Sequence, residues 1–180
     1  RESTMVLTIA VTIDVFAGVV VESRASQQFG AAALLILLPP FIANCGSLGG
    51  MLSSRLASKL HVGQLVPRAL PGRIAVLDFS LTGLLAVLAF TGVGIAGWLA
   101  AVAVPGLSPL PLLTTVGITL LAALLATPLL GLAAYFAATL SFRHGFDPDN
   151  HGIPLVTATM DLAGVFCLLV AISILWTGSP

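Results

Sequence analysis

The sequence predicts an all-α integral membrane domain of five spanning helices. Composition is the first reason: 58% of the 180 residues are hydrophobic and 8% are charged, against roughly 45–50% apolar and 25% charged in soluble domains. Mean hydropathy is +1.11. The second is segmentation, since the apolar residues fall into runs that reach the ~17–25 residues needed to cross a bilayer. The third is where the charges lie, mostly in the short links between runs. Seven basic and seven acidic residues cancel, so nothing points to nucleic acid as a partner. Cys45 and Cys167 both sit in apolar runs and form neither a disulfide framework nor a zinc spacing. They read as small buried hydrophobes. There is no cleavable signal sequence, and the opening Arg1-Glu2-Ser3, without a Met, suggests a piece cut from a longer chain.

The first span, residues 5–21, carries Asp14 in its middle. A polar hairpin, residues 22–28, leads to the second, residues 29–56, which is apolar up to Pro39-Pro40 and then turns small and polar at Asn44-Cys45-Gly46-Ser47-Leu48-Gly49-Gly50. Two prolines remove backbone donors and glycines permit unwinding, so a broken helix is expected here. Such backbone is tolerated at membrane depth only against protein or a water-filled cavity. The most basic stretch follows, with Arg55, Lys59, Arg68 and Arg73. The third span, residues 74–104, has Asp78 near its start and Gly92, Gly94 and Gly97 further on. A charge-free link, residues 105–111, feeds the fourth, residues 112–142, where Pro128 predicts a kink. The fifth, residues 153–176, follows the turn Asp147-Pro148-Asp149-Asn150.

Arg1, Arg55, Lys59, Arg68, Arg73 and Arg143 share one side of this topology, and only Arg24 lies on the other. The positive-inside rule therefore puts the chain start in the cytoplasm and the C-terminus outside a cell membrane. An odd number of spans is compatible with a parallel two-fold homodimer around a central ion pathway.

Asp161 lies about a third of the way along the fifth span. An ionised carboxylate at that depth costs roughly 2.5–3.5 kcal/mol even on the lenient insertion scale, so something must compensate it. Pro154, Thr157 and Asp161 stand at i, i+3 and i+7 and share a helix face. Pro154 frees the carbonyl of Asn150 and Gly164 keeps the next turn narrow. A carboxylate, a hydroxyl and loose carbonyls in a column are hard donors suited to Mg²⁺ or Ca²⁺, not to a soft metal. Mg²⁺ gives up water reluctantly, so the ion is expected to keep most of its hydration shell. Two copies of Asp161 across a dimer axis would balance one divalent charge.

The stretch DPDNHGIPLVTATMDL resembles the loop and last helix of the MgtE magnesium channels and of the related eukaryotic solute-carrier magnesium transporters. Pro148-Asp149-Asn150, Pro154 and Met160-Asp161-Leu162 bring it nearer the eukaryotic branch. PPFIANCGSLGGMLSSRLASKLHVG resembles the family's second span, with Pro39, Gly46 and Leu52-Ser53-Ser54-Arg55-Leu56 in matching places. Ser47 stands where the family usually has Asn, and Gly49-Gly50-Met51 replaces more polar residues. No regulatory module of the MgtE type occurs in these residues. The resemblance implies a five-helix pore domain that dimerises and holds Mg²⁺ near the two-fold axis through Asp161, and the chain resembles one half of a two-half eukaryotic member.

The candidate cation ligands are thus Asp161, Thr157, Asn150, Asp149, Asp147, Asp78, Asp14, Ser47 and Asn44, for Mg²⁺ or else Ca²⁺ or Mn²⁺. Plainer readings stand beside them. Asp14 could be protonated and bonded to Thr8 or Thr12, and Asp78 could pair with Arg73 at the interface. Asp147, Asp149 and Asn150 could only cap the fifth helix. His144 and His151 read as interfacial residues, Glu22 as a loop acid, and Gly92, Gly94 and Gly97 as close packing. No basic residue falls within a predicted spanning core, which leaves Asp161 without an obvious partner. A passive channel and an Na⁺- or H⁺-coupled exchanger both fit, with Asp14 and Asp78 the first places to look for a coupling site. An intramembrane serine hydrolase built on Ser47 would need a deep histidine base, and none is predicted. A purely structural subunit would leave Asp14 and Asp161 unexplained. The chain is therefore expected to move divalent cations and not to be an enzyme.

Overall fold

A computed structural model describes residues 2–28, 32–68, 70–146 and 148–176. The described residues form helices joined by short turns: α1 (Glu2–Gln28), α2 (Ala32–Leu35), α3 (Leu38–His61), α4 (Arg73–Ala103), α5 (Leu112–Arg143) and α6 (Pro148–Leu175). Five stretches are long and apolar enough to cross a membrane: Thr4–Ser23, Ala33–His61, Arg73–Ala103, Leu112–Arg143 and His151–Leu175. Five were expected; α2 and α3 together form the second, which ends at His61 and not near Leu56.

The order of packing puts α6 at the centre, against α1, α3 and α5, while α4 lies outside against α5 and α3. Among the described residues α1 rests on α6 alone. Outward faces are apolar, for example Leu77, Leu81, Leu84 and Leu88 along α4. In a bilayer these meet hydrocarbon as apolar as themselves, so helices associate through close packing and not through a hydrophobic drive. Glycines supply the closeness. A Cβ on Gly49 would lie 2.9 Å from Val156 Cγ1, one on Gly164 3.1 Å from Cys45 Sγ, and one on Gly94 2.9 Å from Val116 Cα. Gly97 is likewise closed off, by Leu37, whereas Gly92 faces open space. Close packing therefore accounts for Gly94 and Gly97 of α4 but not for Gly92.

The second span breaks, but not where its glycines suggested. The interruption is at Ile36-Leu37, just before the prolines, and the helix then runs unbroken through Gly46, Gly49 and Gly50. Pro39 and Pro40 occupy the first turn of α3, where helical N–H groups have no intrahelical acceptor and proline removes nothing needed. The Leu37 N–H instead donates to Leu34 O at 3.1 Å. The glycines stay helical because the close face of α6 holds them. Similarly, Pro154 lies inside α6, which begins at Pro148, and α5 continues through Pro128.

One end of the bundle is tied across sequence. Buried Tyr135 shares its hydroxyl between Arg68 O at 3.0 Å and Leu70 O at 3.1 Å, and Arg143 donates to Pro67 O at 2.7 Å. These bonds pin the 62–72 loop onto the end of α5.

Candidate cation site

The small faces of α3 and α6 cross antiparallel, with Cys45 beside Gly164, Gly46 beside Asp161, Gly50 beside Thr157 and Ser53 beside Gly152. At the crossing, a Cβ on Gly46 would lie 2.7 Å from Asp161 Oδ1 and 2.8 Å from Thr157 Cγ2. The carboxylate thus rests against bare backbone. Its Oδ1 is buried and has no hydrogen-bond partner among the described residues. An acceptor buried without a donor costs about 1–3 kcal/mol, more if charged, unless a ligand supplies the missing positive partner.

Asp161 borders two clefts. One, of about 480 Å³, is lined by Gly46, Ser47, Gly50 and Met51 of α3 and by Ile153, Thr157 and Asp161 of α6. The other, of about 300 Å³, is lined by Leu38 and Ile42 of α3, Asp161 and Val165 of α6, and Asp14, Gly18 and Glu22 of α1. Their α3 and α6 walls lie toward opposite ends of the bundle, and Asp161 is the residue they share. Among the described residues neither is lined by a basic side chain.

The structure sorts the predicted ligands. Thr157 and Asp161 face one cleft as expected, but Ile153, not Pro154, completes their column. Ser47 lines the same cleft while its hydroxyl donates to Ala43 O at 2.7 Å, leaving its oxygen lone pairs available. Asn44 lines neither cleft and donates through Nδ2 to Pro40 O at 2.8 Å. Asp14 is exposed on the smaller cleft. No hydrogen bond joins it to Thr8 or Thr12, whose hydroxyls donate to Thr4 O and Thr8 O of their own helix. Asp147 lies outside the described residues, and so do the side chains of Asp149 and Asn150.

Asp78 takes a different partner from the one expected. Its two carboxylate oxygens lie 2.8 and 2.6 Å from Lys59 Nζ, and its side chain is 6% exposed. Because α3 extends to His61, Arg55 and Lys59 both fall within the span Ala33–His61, Lys59 in its last turn. Lys59 serves Asp78 and is not among the residues lining either cleft. Sequence reading also missed the role of Gly46 and Gly50, whose one-turn spacing was the available signal.

The site is therefore sparse: one carboxylate, two hydroxyls and small backbone. No group of three or more His, Cys, Asp or Glu suited to a metal occurs among the described residues. Hard oxygen thus lies at the junction of two clefts in a bundle of helices long and apolar enough to cross a membrane. A family model described as MgtE, divalent cation transporter, matches residues 38–171, most of the chain, and the chain belongs to that family. The match runs from the start of α3 into the last turns of α6. No curated protein and no solved structure matches the chain. The family is one of transporters and not of enzymes.

Proposed function

We propose that this chain carries Mg²⁺ across a membrane through a two-fold dimeric pore in which Asp161 is the cation site. The observation that carries the proposal is the buried, unpartnered Asp161 Oδ1 beside Thr157 at the wall of an unpaired acidic cleft. Membership of a divalent cation transporter family supports the substrate class. A hydrated cation fits the donors. Mg²⁺ keeps several waters, and six waters at ~30 Å³ each take roughly 180 Å³, less than the 480 Å³ of the larger cleft. Asp161 and the Thr157 and Ser47 oxygens then accept hydrogen bonds from that shell.

A second copy facing the first across this cleft would bring two Asp161 carboxylates to one divalent charge, which is the electrostatic support for the dimer. Lys59 and the pinned 62–72 loop place basic groups at one end of the bundle, and the positive-inside rule assigns that end to the cytoplasm. The test is Mg²⁺ uptake into proteoliposomes by wild type and Asp161→Asn, with calorimetric titration of Mg²⁺, Ca²⁺ and Mn²⁺ on both. Loss of uptake and of Mg²⁺ heat in the variant is expected. Uptake at the wild-type rate would remove Asp161 from the pathway.

A further inference from the structure

The family match begins at residue 38 and assigns no role to α1, yet α1 bears the face that closes the second cleft at Asp161. We propose that this cleft is the second half of the cation route, and that Asp14 and Glu22 of α1 draw hydrated divalent cations along it to Asp161; this rests on the Asp161 site proposed above.

Three observations point the same way. Asp14, Gly18 and Glu22 stand at i, i+4 and i+8 on one face of α1, and all three line the cleft. At 1.5 Å rise per residue they step about 6 Å at a time, so the acidic column extends about 12 Å. Next, Gly18 opens the middle of the column, because a Cβ there would meet nothing within 4 Å. In the apolar stretch 15–21 between the two acids, that gap leaves a passage where a larger side chain would fill it. Third, the column ends at the residue whose Oδ1 is buried and unsatisfied. The route therefore has a destination that needs a positive guest.

Size and charge agree with the occupant. The cleft holds about 300 Å³, room for an ion with six waters at roughly 180 Å³. Among the described residues its lining includes three carboxylates and no basic side chain, and neither Asp14 nor Glu22 is hydrogen-bonded or ion-paired there. A low-dielectric cleft walled by one sign of charge concentrates the opposite ion, an effect that weakens with ionic strength. Since the clefts have their α3 and α6 walls toward opposite ends of the bundle, the pair gives Asp161 access from both membrane faces.

The experiment is Mg²⁺ flux through the full chain in proteoliposomes, with Mg²⁺ concentration and salt varied, for Gly18→Trp, Asp14→Asn/Glu22→Gln, Asp161→Asn and the lipid-facing control Gly92→Trp. Gly18→Trp is expected to cut maximal flux at least ten-fold while Gly92→Trp transports like wild type. The double neutralisation is expected to raise the Mg²⁺ concentration for half-maximal flux at least five-fold at low salt, with a smaller change at high salt. Should Gly18→Trp fail to assemble, Gly18→Cys with Cys45 and Cys167 replaced by alanine serves instead. A membrane-impermeant thiosulfonate should then block flux, and Mg²⁺ should slow the labelling. If Asp161→Asn abolishes flux while the Gly18 and Asp14/Glu22 variants, or the labelled cysteine, transport normally, α1 is off the route and the Asp161 site stands. If Asp161→Asn itself transports normally, the site reading fails first.

Discussion

Replacing Gly46 by alanine tests the crossing of α3 and α6 with a single methyl group. That Cβ would sit 2.7 Å from Asp161 Oδ1 and 2.8 Å from Thr157 Cγ2, whereas relaxed carbon–oxygen contacts lie near 3.3–3.6 Å. A separation of roughly 0.6 Å or more must be found. Helix α6 cannot retreat as a body, because Val156, Met160 and Leu168 on it are at most 1% exposed against the bundle. The carboxylate must turn instead. Misplacing a functional group by about 1 Å costs on the order of 100-fold, so a shift of this size should lower Mg²⁺ flux at least ten-fold. Folding should change little, since the better helix propensity of alanine, about 1 kcal/mol, offsets part of the ~1–3 kcal/mol expected of overpacking. Gly92→Ala, in open space, is the matched control. Flux and calorimetric Mg²⁺ affinity in purified, monodisperse protein decide the matter. Wild-type values for both in Gly46→Ala would show that Asp161 is not set by that contact.

Three more expectations follow from other parts of the structure. Lys59→Met should strand the 6%-exposed Asp78 carboxylate and destabilise the protein by about 3 kcal/mol, and Lys59→Met/Asp78→Leu should recover most of that in a detergent unfolding series. A double variant as unstable as the single would mean the pair is not what holds the α3 and α4 ends together. Tyr135→Phe should lose about 1 kcal/mol and speed proteolysis of the 62–72 loop, and an unchanged cleavage rate would refute the pinning role. Met51→Cys, 45% exposed on the rim of the larger cleft, should cross-link between copies in membranes when Cys45 and Cys167 are alanine, and monomer alone after oxidation would count against clefts that face across a two-fold axis.

The five spans were readable because length and hydropathy are local properties, and a bilayer imposes them on each segment separately. Asp161 stood out for the same reason, as a charge where solvation is costly. Positions were harder. Helical period alone put Pro154 in the column with Thr157 and Asp161, but the face of α6 that meets the cleft carries Ile153. The prolines of the second span read as breakers because proline is usually one, yet in the first turn of α3 they cost nothing.

What the sequence determined by itself is the class: an all-helical membrane domain with acids at depth and oxygen chemistry for a hard cation, because each of these follows from residue type and local spacing. Only the tertiary structure decided which acids are free. Lys59 claims Asp78, nineteen residues away, and Gly46 leaves Asp161 its bare cradle, while Asp14 and Glu22 come to the same carboxylate only because α1 packs on α6. Those are long-range juxtapositions, set by how helices cross, and no periodicity within one segment encodes them.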